Sequence, residues 1–332
     1  MIDLTVIWAA IIAFAVGAYV VMDGFDLGIG ILFPRFRVGK ERDAAMNSIA
    51  PVWDGNETWL VLGGGGLMAA FPLAYAVVLP ALYAPLIAML LGLVFRGVAF
   101  EFRWRDPAHR GFWDFAFCGG SLVATLAQGI TLGALLQGIT VEGRAYAGGW
   151  WEWLTPFSLL TGVSLVIGYA LLGACWLIWK TEGPLQDDAR RFARLSLPAL
   201  LVAIGAVSAY TPFLEGQYYL RWFEWPGLLA TVPMPILVVV IGLFLWRALK
   251  GQRDWLPFVL TLALFGLSMA GLAISIWPDV IPGRVTIWEA AAPERSQAFM
   301  LVGAAIIVPV ILAYTAWAYW VFRGKVDEAG YH

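Results

Sequence analysis

Two carboxylates, Asp23 and Asp26, interrupt the otherwise apolar stretch VVMDGFDLGIGIL, residues 20–32. Residues three apart share one face of a helix, so both side chains are expected to point the same way. A charged side chain inside a bilayer costs about 3 kcal/mol or more, and such residues usually mark ion or proton pathways. The pair therefore either relays protons or holds a polar site in shape.

Two further stretches bring polar side chains to the same predicted depth. NSIAPVWDGNETWLVLGGGG, residues 47–66, carries Asp54 and Glu57 at the same spacing of three. LVFRGVAFEFRWR, residues 93–105, carries Arg96. One interpretation is a buried salt-bridge network in which Arg96 neutralises an acid. The other follows from the surplus of acids over this one arginine: a spare carboxylate holds a proton and relays it.

Glycines accompany both acidic pairs. Gly24, Gly28 and Gly30 follow the first pair, and Gly55 and residues 63–66 follow the second. Small residues let helix backbones approach closely in a bilayer, so these positions predict packing surfaces. A phosphate-binding loop is excluded for residues 63–66 because no Lys-Ser/Thr follows them.

These side chains lie in an integral membrane protein. The 332-residue chain is 61% hydrophobic and 13% charged, whereas soluble domains carry about 25% charged residues. A membrane-spanning helix needs about 20 mostly apolar residues. We therefore predict one polytopic membrane domain over residues 1–332, all-α, with nine transmembrane helices. The predicted spans are 5–33, 50–70, 74–100, 113–138, 156–180, 195–214, 229–249, 255–277 and 298–322.

Basic residues give the orientation, because they stay on the cytoplasmic side of bacterial membranes. Seventeen of the 21 Lys and Arg fall at one end of the nine predicted spans. The exceptions are Arg144, Arg221, Arg284 and Arg295. The sequence therefore predicts an outward-facing N-terminus, an acidic group in the cytoplasmic half of the membrane, and a cytoplasmic C-terminus.

The residues that would hold a redox cofactor are scarce. The two histidines are His109, in a predicted loop, and His332, the last residue. Membrane haems usually need His or His/Met axial ligands, and no Cys/His/acid group has metal-site spacing. We therefore expect neither haem nor metal in this chain. No basic cluster points to nucleic acid.

The motifs resemble those of subunit II of the cytochrome bd quinol oxidases, in the same order along nearly the whole chain. The matching stretches are DGFDLGIG (23–30), NSIAPVWDGNETWLV (47–61), FRGVAFEFRWR (95–105), LLQG (135–138), TPFSLLTGV (155–163) and IIVPVILAYTAWAYW (306–320).

The resemblance implies a haem-free subunit with two four-helix bundles plus one extra helix, in the bacterial inner membrane with its N-terminus in the periplasm. It implies a complex that oxidises ubiquinol or menaquinol and reduces dioxygen to water with cytoplasmic protons. Haems b and d belong to partner subunit I, and a small single-helix subunit often joins. A quinone or lipid against this subunit is a further possibility. This chain would do no redox chemistry itself.

The resemblance also suggests roles for residues. In the family, the Asp of the WDGN motif lies on a proton route; here it is Asp54, next to Trp53. Asp54 is thus the first candidate for proton transfer, with Asp23, Asp26 and Glu57 beside it. Some family members have Gln where this chain has Glu57, so that acid either tunes the path or adds a salt bridge.

Two alternatives stay open at this stage. A purely structural subunit of the same oxidase would need none of the acids for proton transfer, and Arg96 would support the fold alone. A proton-coupled secondary transporter would show paired repeats and broken helices near the midplane, but no repeat of the first half recurs in the second.

Overall fold

The computed structural model describes residues 3–326, apart from the side chain of Ala230, as an almost entirely helical chain. The helices are α1 (Leu4–Leu32), α2 (Lys40–Asn47), α3 (Trp53–Ala70), α4 (Pro72–Ala81), α5 (Tyr83–Arg105), α6 (Arg110–Leu136), α7 (Pro156–Lys180), α8 (Gly183–Tyr210), α9 (Gly216–Phe223), α10 (Leu228–Thr231), α11 (Pro233–Ala248), α12 (Leu256–Ile276), α13 (Ile287–Ala290) and α14 (Glu294–Val321). Short 3₁₀ helices cover Phe33–Arg35, Pro107–His109 and Thr211–Phe213.

Two small antiparallel hairpins complete the secondary structure. β1 (Val141–Glu142) pairs with β2 (Ala145–Tyr146), with Val141 opposite Tyr146. β3 (Asp279–Ile281) pairs with β4 (Val285–Thr286) through an irregular register. Both hairpins lie in connections between long helices, so the helices alone form the body of the protein.

Seven helical segments within residues 3–326 are long and apolar enough to cross a membrane: α1, α5, α6, α7, α8, α12 and α14. An eighth candidate is the pair α3 and α4, which is bent by 120°. The apolar α11 is shorter, at 16 residues. The chain is therefore a multi-pass helical membrane protein.

Two predicted spans differ in detail from these helices. The predicted third span, 74–100, falls on two helices, because α4 ends at Ala81 and α5 begins at Tyr83. The bend before α4 coincides with Pro72, whose ring prevents a backbone hydrogen bond to the preceding turn. Pro233 interrupts the predicted span 229–249 in the same way and separates α10 from α11.

Helix α1 lies at the centre of the packing and contacts α3, α6 and α7. A Cβ added to Gly28 would lie 1.8 Å from the backbone oxygen of Tyr169 on α7. A Cβ on Gly30 would lie 2.0 Å from Ser121 Oγ on α6. These glycines therefore set the close approach of α1 to both helices. On α3, in contrast, Gly55, Gly64 and Gly65 face open space.

The bundle has two chemically different ends. The base-rich end is where α1, α5, α7 and α14 finish and α3, α6, α8 and α12 begin. Here the backbone N–H of Val326 donates to Lys180 O at 2.8 Å. At the opposite end, Trp8 Nε1 donates to Gln297 O at 3.1 Å. His332 lies outside the described residues.

Candidate functional site

The guanidinium of Arg96 lies at the centre of a group of carboxylates near the base-rich end. Its side chain is fully buried. Arg96 Nη1 lies 2.6 Å from Glu57 Oε1 and 3.0 Å from Asp23 Oδ1. Arg96 Nη2 lies 3.7 Å from Asp26 Oδ2. We call Asp23, Asp26, Glu57 and Arg96 the acidic cluster; three helices, α1, α3 and α5, supply it.

Two neutral side chains connect the cluster to the last helix. Asn56 Nδ2 donates to Asp26 Oδ2 at 2.7 Å and to Met22 O at 3.2 Å. Tyr319 Oη, on α14, donates to Asn56 Oδ1 at 2.9 Å. The amide of Asn56 therefore ties α1, α3 and α14 together at the depth of the cluster.

The acidic cluster is not fully hydrogen-bonded. Both oxygens of Asp23, Oδ1 of Asp26, and Nε and Nη2 of Arg96 are buried without a hydrogen-bond partner among the described residues. Three carboxylates also surround one guanidinium. Buried charges are strongly unfavourable unless they are paired, so an arrangement with a proton on one carboxylate is favoured over full ionisation. Such a carboxyl group can donate and accept a proton.

Exposure decreases along α3 towards the cluster. Asp54 is exposed, and the structure does not bring it into contact with Arg96. Glu57, one helical turn further, keeps 27% of its side chain exposed, whereas Asp23 keeps 1%. Residues i and i+3 share a helix face, so the exposed Asp54 lies one turn before Glu57, which reaches Arg96.

Trp53 lies against the cluster from the side. Its ring centroid is 5.8 Å from Arg96 Cζ, within cation–π distance. The same ring stacks on Phe100 at 5.0 Å. These contacts fix the position of Trp53 beside the guanidinium.

A second polar chain leads from the cluster further along the helices. Tyr19 is one turn before Asp23 on α1, on the same face. Gln128 Nε2 donates to Tyr19 Oη at 2.6 Å, and Tyr169 Oη donates to Gln128 Oε1 at 3.0 Å. α1, α6 and α7 thus share a buried polar contact on the far side of Asp23.

Several of these polar residues were missed by the sequence analysis. Asn56 lies inside a quoted motif, and the spacing of four from Asp23 could have indicated Tyr19. Tyr319 also lies inside a quoted stretch, 306–320. No local signal marks Gln128 and Tyr169, because their partners are on helices distant in sequence. The missed residues are Tyr19, Asn56, Gln128, Tyr169 and Tyr319.

A second ionic group, the basic cluster, surrounds Arg103 on α5. Arg103 Nε lies 2.5 Å from Asp114 Oδ1, and Arg103 Nη1 lies 2.9 Å from Asp43 Oδ1. Arg42 binds the other oxygen of Asp114 at 2.7 Å, and Arg110 binds Asp43 at 2.5 Å. These three arginines and two aspartates join α2 to α5 and α6.

Residues 3–326 contain no group of three or more His, Cys, Asp or Glu side chains arranged to hold a metal ion. His109 lies in the 3₁₀ helix before α6, where its exposed ring contacts Asp106 at 2.9 Å.

Comparison with known proteins shows similarity over nearly the whole chain. The family model described as "Cytochrome bd terminal oxidase subunit II" matches residues 4–322. "Cytochrome bd-I ubiquinol oxidase subunit 2" of Escherichia coli K12 is 30% identical, with 97% of this chain and 95% of the relative covered. "Cytochrome bd ubiquinol oxidase subunit 2" of Bacillus subtilis is 28% identical, with 97% and 96% covered.

The fold is also similar to that of a solved protein. A chain of the bd oxidase from Geobacillus thermodenitrificans superposes with a TM-score of 0.80. The match covers 96% of this chain and 99% of that one, at 16% sequence identity. At this identity the likeness concerns the arrangement of helices.

Proposed function

This chain belongs to the cytochrome bd terminal oxidase subunit II family, and on that premise we propose that it forms part of a cytoplasmic proton path for the reduction of O2 to water. The related proteins are subunits of ubiquinol oxidases. In this proposal the chain pairs with subunit I, whose haems b and d carry out the redox chemistry on ubiquinol or menaquinol. This chain supplies protons and a binding surface.

The observation that most directly supports this proposal is the excess of three carboxylates over one guanidinium in the acidic cluster. Protons enter at the exposed Asp54, pass to the partly exposed Glu57, and reach Asp23 and Asp26. Arg96 and Trp53 hold the carboxylates in place. The order of exposure along α3 supports this direction, because each step leads further from solvent.

The chain is a multi-pass protein of the bacterial inner membrane. We further propose nine crossings, in two four-helix bundles plus one helix, with the N-terminus in the periplasm and the C-terminus in the cytoplasm. The nine longest described helices (α1, α3, α5, α6, α7, α8, α11, α12 and α14) support the count. The seventeen basic residues at one end support the orientation. A small single-helix subunit and a bound quinone or lipid complete the proposed assembly.

The test compares three variants of the purified oxidase complex in vesicles: Asp54→Asn, Glu57→Gln and the control Asp187→Asn. Asp187 is an exposed acid on α8 at the same base-rich end. Oxygen consumption and proton uptake are measured together. We expect Asp54→Asn to lower both by about 10²-fold, the lower range for loss of a proton-transfer group, and Glu57→Gln to lower both by less.

The control is expected to behave as the wild type. If Asp54→Asn and Glu57→Gln keep wild-type oxygen consumption and proton uptake, this chain is a structural scaffold of the oxidase. The absence of a haem-bearing partner from the purified sample would instead overturn the assignment of the complex.

A further inference from the structure

A cavity of about 240 Å³ opens at the base-rich end. It lies between the start of α3, the end of α7 and the segment that follows α14. The volume corresponds to roughly eight water molecules at about 30 Å³ each, and it is smaller than the pockets that enclose a whole drug-sized ligand, which begin at about 300 Å³. It therefore suits a polar headgroup better than a complete lipid.

Two side chains of the cavity wall have unmet hydrogen bonds. The indole N–H of Trp176 and the amide oxygen of Asn47 are buried without a partner in the described part of the chain. Trp176 is only 2% exposed. Buried polar groups nearly always have a partner, so this wall requires one acceptor and one donor. A ligand hydroxyl supplies both.

The wall of the cavity also carries basic side chains. The residues of 3–326 that line it include Lys180 and Lys325 and no acid. Lys180 is 5% exposed, and its Nζ donates to Phe322 O at 2.5 Å and Gly324 O at 3.1 Å. Its Nζ also lies 5.1 Å from the ring centroid of Trp176 and 5.5 Å from that of Trp179. All of these partners are neutral, and an ammonium group has three donors. A negative charge beside Lys180 would therefore complete its surroundings. Lys325 contacts Asp254 at 2.7 Å, outside the cavity wall.

The position of the cavity fits a membrane surface. Trp317, Trp320 and Val321, at the end of α14, are exposed and apolar next to it. Tryptophan is enriched where a membrane meets water. Basic pockets between transmembrane helices at the cytoplasmic side bind lipid headgroups.

We propose that this cavity binds the headgroup of an anionic phospholipid that carries a hydroxyl, of the phosphatidylglycerol type. The phosphodiester lies at Lys180. The glycerol hydroxyl accepts from Trp176 Nε1 and donates to Asn47 Oδ1. The acyl chains lie along the exposed apolar side chains at the end of α14. The cavity wall includes no member of the acidic cluster, but Tyr319 lines the cavity and also donates to Asn56 beside the cluster. Lipid binding is measured directly, so its outcome does not depend on the proposed proton path.

The experiment measures lipid binding to the delipidated oxidase complex by native mass spectrometry. Phosphatidylglycerol is compared with phosphatidylcholine of the same acyl chains, and inorganic phosphate is added as competitor. The variants are Lys180→Met, Lys180→Arg and Trp176→Phe. The matched control is Lys250→Met, which removes a base at the same end, at the C-terminus of α11, beside Trp246.

We expect Lys180→Met to weaken phosphatidylglycerol binding at one site about tenfold, as expected for a charged hydrogen bond. Lys180→Arg keeps the affinity, Trp176→Phe lowers it, and Lys250→Met leaves it unchanged. Equal binding of the two lipids by the wild type overturns the proposal, and displacement by an equal concentration of phosphate overturns the lipid as ligand. If the complex with Lys180→Met does not assemble, the Trp176→Phe variant tests the proposal instead. Binding of phosphatidylglycerol to that variant with the wild-type affinity would overturn the proposed site.

Discussion

Two buried arginines on α5, Arg96 and Arg103, are two helical turns apart and have opposite surroundings. Neither side chain has measurable exposure. Arg96 is outnumbered by the three carboxylates of the acidic cluster. In the basic cluster, the arginines outnumber the carboxylates. Burial is the same in both, so the sign of the excess charge distinguishes them.

The difference has a physical consequence. A surplus buried carboxylate becomes neutral by binding a proton, whereas a surplus arginine keeps its charge because a guanidinium is not deprotonated in proteins. The basic cluster instead reduces its excess by partial exposure, since 33% of the Arg110 side chain is exposed. The first arrangement suits proton storage, and the second suits a structural connection between helices.

The largest expected effect is that of Arg96→Met. It leaves three carboxylates without a cation, and breaking a buried ion pair on one side costs about 3–5 kcal/mol. The midpoint of thermal unfolding of the complex and its assembled yield would measure the loss. Arg103→Met is the paired variant, with a smaller loss because Arg42 and Arg110 still neutralise Asp114 and Asp43. Equal losses would contradict the comparison.

A smaller effect, of opposite sign in the two clusters, is expected when an acid is removed. Asp114→Asn takes away the carboxylate that binds both Arg42 and Arg103, so unfolding should be easier by about 1.5–3 kcal/mol. Turnover of each assembled complex should stay normal. Asp23→Asn removes surplus negative charge, so the unfolding midpoint should hold or rise while oxygen consumption falls. An equal fall of the unfolding midpoint in Asp114→Asn and Asp23→Asn would show that the two acids contribute to stability in the same way.

Much of the fold was accessible from the sequence, because apolar runs of membrane-span length and the sorting of basic residues are strong local signals. The family resemblance is confirmed. The end of α3 at Ala70 agrees with the predicted span 50–70, but the 120° bend into α4 and the separation of α4 from α5 were not predicted. A proline marks where a backbone hydrogen bond is lost, but the direction of the turned helix depends on what it packs against.

The site was accessible in part. The spacing of three predicted that Asp23 and Asp26 share a face, and the structure brings both to Arg96. The same reasoning placed Asp54 in that group, yet its side chain is exposed, because residues one turn apart on α3 can differ in burial. The basic cluster was not identified at all. Its members come from α2, α5 and α6, and only the packing of those helices reveals it.

The smallest effect concerns a third ionic group, which lies at the surface. Asp254 accepts from Arg190 at 2.5 Å, from Lys325 at 2.7 Å and from Gln186 at 3.0 Å. Partial burial raises the pKa of Asp254, but the hydrogen bond and charge of Lys325, together with Gln186 and Arg190, outweigh it and hold the pKa below its usual value. The folded state therefore favours the carboxylate form.

A lowered pKa in the folded state gives stability that is present above the unfolded pKa, about 3.9 for Asp, and lost as the pH falls through the folded value. Exposed pairs contribute at most about 1 kcal/mol. Asp254→Asn should therefore lower the unfolding midpoint slightly at pH 7, and the difference from the wild type should close below about pH 4. Asp187→Asn is the control, and its unfolding midpoint is expected to equal that of the wild type at both pH values. A gap that does not narrow as the pH falls below about 4 would mean that Asp254 acts by packing. The contribution of this surface group to stability would then differ from that of both buried clusters in its physical cause as well as in its magnitude.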